Sequence, residues 1–283
     1  MSVTITVAVV SMIVLGTLFG IGLVLAAHAF RVEEDPKVKE VFEALPGINC
    51  GACGYRGCHP YAEAVVKGEA VDLCVPGGAD AAQALADIMG VEIGAAGPRL
   101  RAVVHCQGGT SRCGDRFQYV GESDCRAANM TGGGQKDCVY GCLGFGTCAE
   151  ACPFDAITMS EERLPVVDPE KCTACGICVR TCPRSLLSLV PADAPVYLGC
   201  SSHGRAKAVK DICSVGCIAC SLCARKDPHG AIEMVDNLPV LDFEKSGGDF
   251  YAAAEVCPQN CFVVEREPAR VEAGAPPAGE ATA

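Results

Sequence analysis

Residues 172–183 read Cys172-Thr-Ala-Cys175-Gly-Ile-Cys178-Val-Arg-Thr-Cys182-Pro183. This C-x2-C-x2-C-x3-C-P spacing is a ligand pattern for iron–sulfur clusters: three thiolates hold one cluster and the fourth reaches its neighbour. The partner run stands upstream as Cys138-x3-Cys142-x5-Cys148-x3-Cys152-Pro153. Phe145 occupies the place of its second cysteine, which leaves Cys138 as the third local ligand. Exchanging the fourth ligands gives two four-thiolate sets. One is Cys138, Cys142, Cys148 and Cys182; the other is Cys152, Cys172, Cys175 and Cys178. Residues 155–168 between the runs read as two short strands around a turn.

The pattern recurs about 75 residues later, an internal duplication. Cys125, Cys138, Cys142 and Cys148 map by spacing onto Cys200, Cys213, Cys217 and Cys223, and Cys182-Pro183 maps onto Cys257-Pro258. Ala156-Ile157 maps onto Ala231-Ile232, and Leu164-Pro165 onto Leu238-Pro239 with one residue deleted between the strands. Both copies resemble two-cluster bacterial ferredoxins. In the second copy Cys152 becomes Asp227. Cys172, Cys175 and Cys178 become Gly247, Phe250 and Ala253, or Ser246, Asp249 and Ala252 in the neighbouring register. Either way one whole ligand set is gone while Cys217, Cys220, Cys223 and Cys257 survive, as crossed ligation requires. One cluster is expected there.

Nearer the N-terminus the spacing is Cys50-x2-Cys53-x4-Cys58-x15-Cys74, with Gly51, Gly54 and Gly57 between the thiols. Four thiolates suit one [4Fe–4S] centre. Four-cysteine zinc sites exist, but zinc ribbons use two C-x2-C knuckles and only one is present. This stretch resembles the four-iron domain of the B subunits of Rnf-type electron transport complexes. A similar module occurs in corrinoid iron–sulfur proteins, but those are soluble, and here an apolar segment stands directly before the cysteines.

That segment, residues 4–27, is uncharged and long enough to cross a bilayer as a helix. A cleaved signal peptide is the rival, since Ala27-His28-Ala29 has a small-x-small form. The run lacks a basic leading flank and exceeds a signal peptide's apolar region. Arg31, Lys37 and Lys39 follow it, so the trailing side is expected in the cytoplasm. All 22 cysteines then lie in a reducing compartment, where metal ligation is favoured over disulfides. Lys plus Arg total 23 against 34 Asp plus Glu, a formal charge of −11, which argues against nucleic-acid binding.

Six cysteines remain: Cys106, Cys113, Cys125, Cys200, Cys213 and Cys261. Two readings stand for Cys106, Cys125, Cys200 and Cys213, a fifth centre or buried free thiols. Cys106 ends the strand-like stretch 102–105 much as Cys200 follows 195–198. Cys261 aligns with Leu186 and reads as core, and Cys113 as a loop thiol. The five histidines show no ligand spacing, and residues 131–134 (Thr-Gly-Gly-Gly) match no phosphate or dinucleotide motif. No catalytic constellation stands out.

The expected fold is α+β: a single N-terminal transmembrane helix, a small four-iron domain, then duplicated bacterial ferredoxin-like domains. The boundaries are an anchor over 1–30, the four-cysteine domain over 31–95, a two-cluster repeat over 96–195, a one-cluster repeat over 196–266 and a disordered tail over 267–283. The residues alone describe a membrane-anchored polyferredoxin with four [4Fe–4S] clusters, or five. The resemblance implies a subunit that takes electrons from soluble reduced ferredoxin and passes them to other membrane subunits. The complex would couple ferredoxin:NAD electron transfer to Na⁺ or H⁺ translocation. It would sit in the inner (cytoplasmic) membrane as a single-pass protein, with its iron–sulfur domains on the cytoplasmic side. A polyferredoxin of another membrane oxidoreductase and a zinc-binding interaction protein are the alternatives.

Overall fold

The computed structural model describes residues 2–30, 35–93 and 98–265. Arg31 and the tail over 267–283 lie outside the described residues.

The chain opens with the helix Ser2–Ala29, of which Ile5–Ala29 has a mean hydropathy of 2.5 and no share buried against the rest of the chain. Apolar side chains face outward all round it; Met12, Phe19 and Leu23 are each at least 70% exposed. A helix with no polar face and no protein partner suits a bilayer by length and composition.

Asp35 then caps the helix Pro36–Glu43, its carboxylate accepting the Lys37 N–H at 2.9 Å, and Pro36 takes the first helical position. This helix, Cys58–Val66 and Gly78–Met89 bury a small core of Val41, Val65, Leu85 and Tyr61. The Tyr61 hydroxyl donates to Ala70 O at 2.8 Å and accepts the Leu73 N–H at 3.3 Å. Those two bonds hold the loop that returns Cys74 to the domain.

Residues 98–265 use one connectivity twice. Strands β1 (Leu100–Val104) and β4 (Leu187–Pro191) pair antiparallel around the hairpin β2 (Ile157–Met159) and β3 (Pro165–Val167). Strands β5 (Val196–Leu198) and β8 (Phe262–Val264) likewise enclose β6 (Ile232–Val235) and β7 (Leu238–Leu241). The hairpin registers match: Met159 faces Pro165 and Met234 faces Pro239. The second hairpin closes through Asp236 and Asn237, both with positive φ, which suits a two-residue turn; the first closes through the longer loop 160–164.

The modules differ where the sequence loses its cysteines. Phe250 and Ala253 are each 1% exposed and join Val196, Ile232 and Phe262 in one apolar core. Phe243 meets Phe250 edge-on, with centroids 5.4 Å apart. Of the two registers, Phe250 and Ala253 of the first are buried, and so is Ser246 of the second. Asp227 sits at the Cys152 position, its carboxylate accepting the backbone N–H of His229 and Ile232 at 3.1 and 2.8 Å and that of Ala231 beside them.

Across the modules, Arg101 on β1 is buried and grips Glu265 through two contacts of 3.0 and 2.6 Å while donating to Ala194 O. His105 bonds Leu198 O on one side and Ser188 Oγ on the other, each at 2.6 Å; burial pulls its pKa down, so it serves as a neutral bridge.

Candidate metal centres

In the N-terminal domain Cys50 and Cys53 lie in a loop that turns at Gly51 and Gly54, with φ of +72° and +87°. Glycine takes that conformation without strain. Asn49 Oδ1 accepts the Cys58 N–H at 2.8 Å and fixes the loop to the following helix. Burial pushes the Cys74 thiol up, and the nearness of Cys58, Cys50 and Cys53 adds to it. The Cys74 thiol thus lies near the other three, which come from two further segments.

In the first module Cys152, Cys172, Cys175 and Cys178 line one hollow together with Phe154 and Leu189. Ala102 on β1 donates its N–H to Cys172 Sγ at 3.4 Å. Burial, then the charges of Cys172 and Cys175, push the Cys178 thiol up to about 12. Thr173 Oγ1 is buried at this site without a hydrogen-bond partner.

Cys142, Cys148 and Cys182 line a second hollow, and the cysteine beside them there is Cys125. The spacing groups these three with Cys138, which the structure places in a different hollow. The local reason is the helix Cys125–Met130. Asp124 caps it, accepting the N–H of Arg126 and Ala127, and Thr147 Oγ1 bonds both the Asp124 carboxylate and the Cys125 N–H. Thr147 neighbours Cys148, so the cap draws Cys125 to that thiol. Burial first, then Cys125 and Cys182, push the Cys148 thiol up to about 11.

In the second module Cys217, Cys220, Cys223 and Cys257 line a hollow that Cys261 also borders. Cys261 stands at the Leu186 position and hydrogen-bonds both Cys257 and Cys217, which lowers them to about 6 and about 7.

The last hollow lies between the modules and is bordered by Cys106, Cys113, Cys138, Cys200 and Cys213. Nothing in the cysteine spacing marks Cys113 or Cys138 for this place. The insertion between Cys106 and Cys138, absent between Cys200 and Cys213, hides the correspondence from a spacing comparison.

Among the described residues no three His, Cys, Asp or Glu side chains meet closely enough to hold a single metal ion. The cysteines of residues 98–265 line hollows instead. Buried thiols around an open centre, with backbone N–H groups aimed at sulfur and an unpartnered hydroxyl beside them, fit a four-iron core better than a compact tetrahedral zinc.

The sets also adjoin. Arg180, on the helix Ile177–Thr181 that carries Cys178, donates to the Cys50 carbonyl, and the charge of Cys50 adds to the burial that raises Cys175. Cys148 of the second hollow acts in the same way on Cys178 of the first.

The chain matches two family models, "Putative Fe-S cluster" over residues 45–76 and "4Fe-4S dicluster domain" over residues 137–186. It is 45% identical over 250 residues to the B subunit of the Na⁺-translocating ferredoxin:NAD⁺ oxidoreductase complex of Acetobacterium woodii, covering 88% of this chain and 74% of that one. It is 43% identical to the B subunit of the proton-translocating ferredoxin:NAD⁺ oxidoreductase complex of Clostridium ljungdahlii, covering 84% of each chain. It is 37% identical to the B subunit of the ion-translocating oxidoreductase complex of Methanosarcina acetivorans, covering 88% of this chain and 94% of that one. Thiol-lined hollows, iron–sulfur family models and relatives matched over most of their length agree, and the chain belongs to the B-subunit family of Rnf-type ion-translocating oxidoreductase complexes, as an iron–sulfur electron-transfer subunit.

Proposed function

We propose that this chain takes electrons from soluble reduced ferredoxin and delivers them to the other membrane subunits of a complex that couples ferredoxin:NAD electron transfer to Na⁺ or H⁺ translocation. The observation that carries this reading is the adjacency of the thiol sets from the N-terminal domain into the first module. Bound [4Fe–4S] clusters supply one-electron transfer without making or breaking substrate bonds.

The thiol sets read as ligands are Cys50, Cys53, Cys58 and Cys74; Cys152, Cys172, Cys175 and Cys178; Cys142, Cys148 and Cys182 with Cys125; and Cys217, Cys220, Cys223 and Cys257, and their grouping in the fold supports this reading. The repeated strand order supports two ferredoxin-like domains that arose by duplication. In the second, Phe250 and Asp227 have taken over the space and the backbone donors of a lost centre.

The electron-accepting end is the second module. Its helix Leu222–Lys226 carries Cys223 on the buried side and exposes Arg225 and Lys226. Arg205, Lys207 and Lys210 of the same module are exposed too, although Lys207 is paired with Asp211 at 2.6 Å. A basic face on an otherwise acidic chain steers an acidic carrier such as ferredoxin. The exit is the Cys50–Cys74 domain, which follows the membrane helix directly. Lys37 and Lys39 beyond that helix favour the cytoplasmic face of the inner membrane, with a single crossing.

The test is to mix the anaerobic, iron-loaded chain with reduced ferredoxin and follow cluster signals by freeze-quench EPR. The second-module signal is expected first and the Cys50–Cys74 signal last. No reduction by ferredoxin, or the reverse order, contradicts the proposal.

A further inference from the structure

We propose that the hollow between the two modules holds a further [4Fe–4S] cluster, ligated by Cys106 and Cys138 of the first module and Cys200 and Cys213 of the second. This rests on the iron–sulfur reading of the other sets.

Each module contributes the same pair in the same setting. Cys106 lies two residues after β1, and Cys200 two residues after β5. Cys106 Sγ accepts the Cys142 N–H at 3.4 Å and the N–H of Gly108, two residues on. Cys200 Sγ accepts the Cys217 N–H at 3.2 Å and that of Ser202, two residues on, at 3.4 Å. Cys138 and Cys213 stand four positions before Cys142 and Cys217, and each accepts the N–H two residues ahead, from Tyr140 and Val215. Two equivalent pairs facing a common space form a four-thiolate shell with local two-fold symmetry. Cys113 lies beside Cys213 and has no counterpart in the second module, so the symmetric set leaves it outside.

The sulfurs converge across the junction. A Cβ on Gly108 would lie 3.2 Å from Cys213 Sγ and 3.8 Å from Cys106 Sγ, one from each module. The backbone reaches that point only because Gly108 has no side chain.

Charge gives an independent reason. Lys136 is 5% exposed, with its Nζ bonded to Cys113 O at 2.7 Å and Gly109 O at 3.3 Å; its nearest carboxylate, Asp115, is 3.8 Å away. Arg184 donates to Cys138 O at 2.9 Å and faces Cys138, Cys142 and Cys106. A buried ammonium beside a half-buried guanidinium calls for compensating anions. Thiolates on a cluster supply them.

Cys142 belongs to one neighbouring set and Cys217 to the other, and each donates a backbone N–H into this shell. The site therefore links the second module to the first, where the described residues place no other thiol set.

The test is iron and acid-labile sulfide per full-length chain, prepared anaerobically, with EPR during a redox titration. The wild type is expected to hold about 20 of each, four per centre. The Cys106→Ser/Cys200→Ser variant is expected to hold about 16 and lack one titrating signal, whereas Cys113→Ser keeps about 20. A wild-type value near 16 overturns the proposal, as does full iron in the double variant or loss of a centre in Cys113→Ser. The wild-type count holds even if the double variant fails to fold. Absence of sulfide altogether marks the failure of the wider iron–sulfur reading, and a shortfall of one centre marks the failure of this site alone.

Discussion

Arg180 donates from its guanidinium to the backbone carbonyl of Cys50, joining the helix of the first module to the cysteine loop of the N-terminal domain across 130 residues of sequence. The bond sets the Cys50 thiol against Cys175 and so places two cysteine sets side by side. Replacing Arg180 by Ala is expected to leave the iron content unchanged, because no thiol is lost. Transfer into the Cys50–Cys74 set should slow, because the contact that holds the two sets side by side is lost. Freeze-quench EPR of that set after reduction from ferredoxin checks this; an unchanged rate would show that the contact does not set the junction.

Cys125, not Cys138, completes the Cys142, Cys148 and Cys182 hollow. Cys125→Ser should therefore abolish the signal of that set and lower iron by about four per chain. Cys138→Ser should leave that signal in place. The helix that begins at Cys125 should survive, since Asp124 and not the thiol caps it. Mössbauer counting of the two variants separates the assignments.

Phe250 fills the core where the first module has thiols. Truncation to Ala should destabilise the chain by about 3–5 kcal/mol through cavity formation. The signal of the neighbouring Cys217–Cys257 set should persist at low denaturant. Denaturation monitored by both circular dichroism and cluster absorbance gives the two readouts; a fall in iron without a fall in stability would contradict the packing role.

Arg101 bridges the modules through Glu265 and Ala194 O. Glu265 is 38% exposed, so solvent screens the pair. Arg101→Met should cost about 2 kcal/mol, less than a fully buried pair would lose. Glu265→Gln, which keeps a hydrogen bond, should cost under about 1 kcal/mol. Thermal unfolding of both variants with clusters intact measures the difference.

The cysteine runs made the hairpins and the crossed Cys152, Cys172, Cys175 and Cys178 set legible, because fixed spacing on a short turn leaves few arrangements. Spacing groups Cys138 with Cys142, Cys148 and Cys182, whereas Cys125 borders their hollow and Cys138 another. It aligns Cys125 with Cys200, but the strands align Cys106 with Cys200, and the structure follows the strands. An insertion of about a turn and a helix broke the spacing without breaking the fold. No cysteine spacing singles out Lys136 or Arg184 in sequence. Their contacts with the carbonyls of Cys113 and Cys138 exist only in the folded chain.

Iron, zinc and acid-labile sulfide per full-length chain test the central claim most directly. Iron and sulfide are expected in equal amounts, about 20 of each, with no stoichiometric zinc. Zinc without sulfide would contradict an electron-transfer role, since zinc does not change oxidation state.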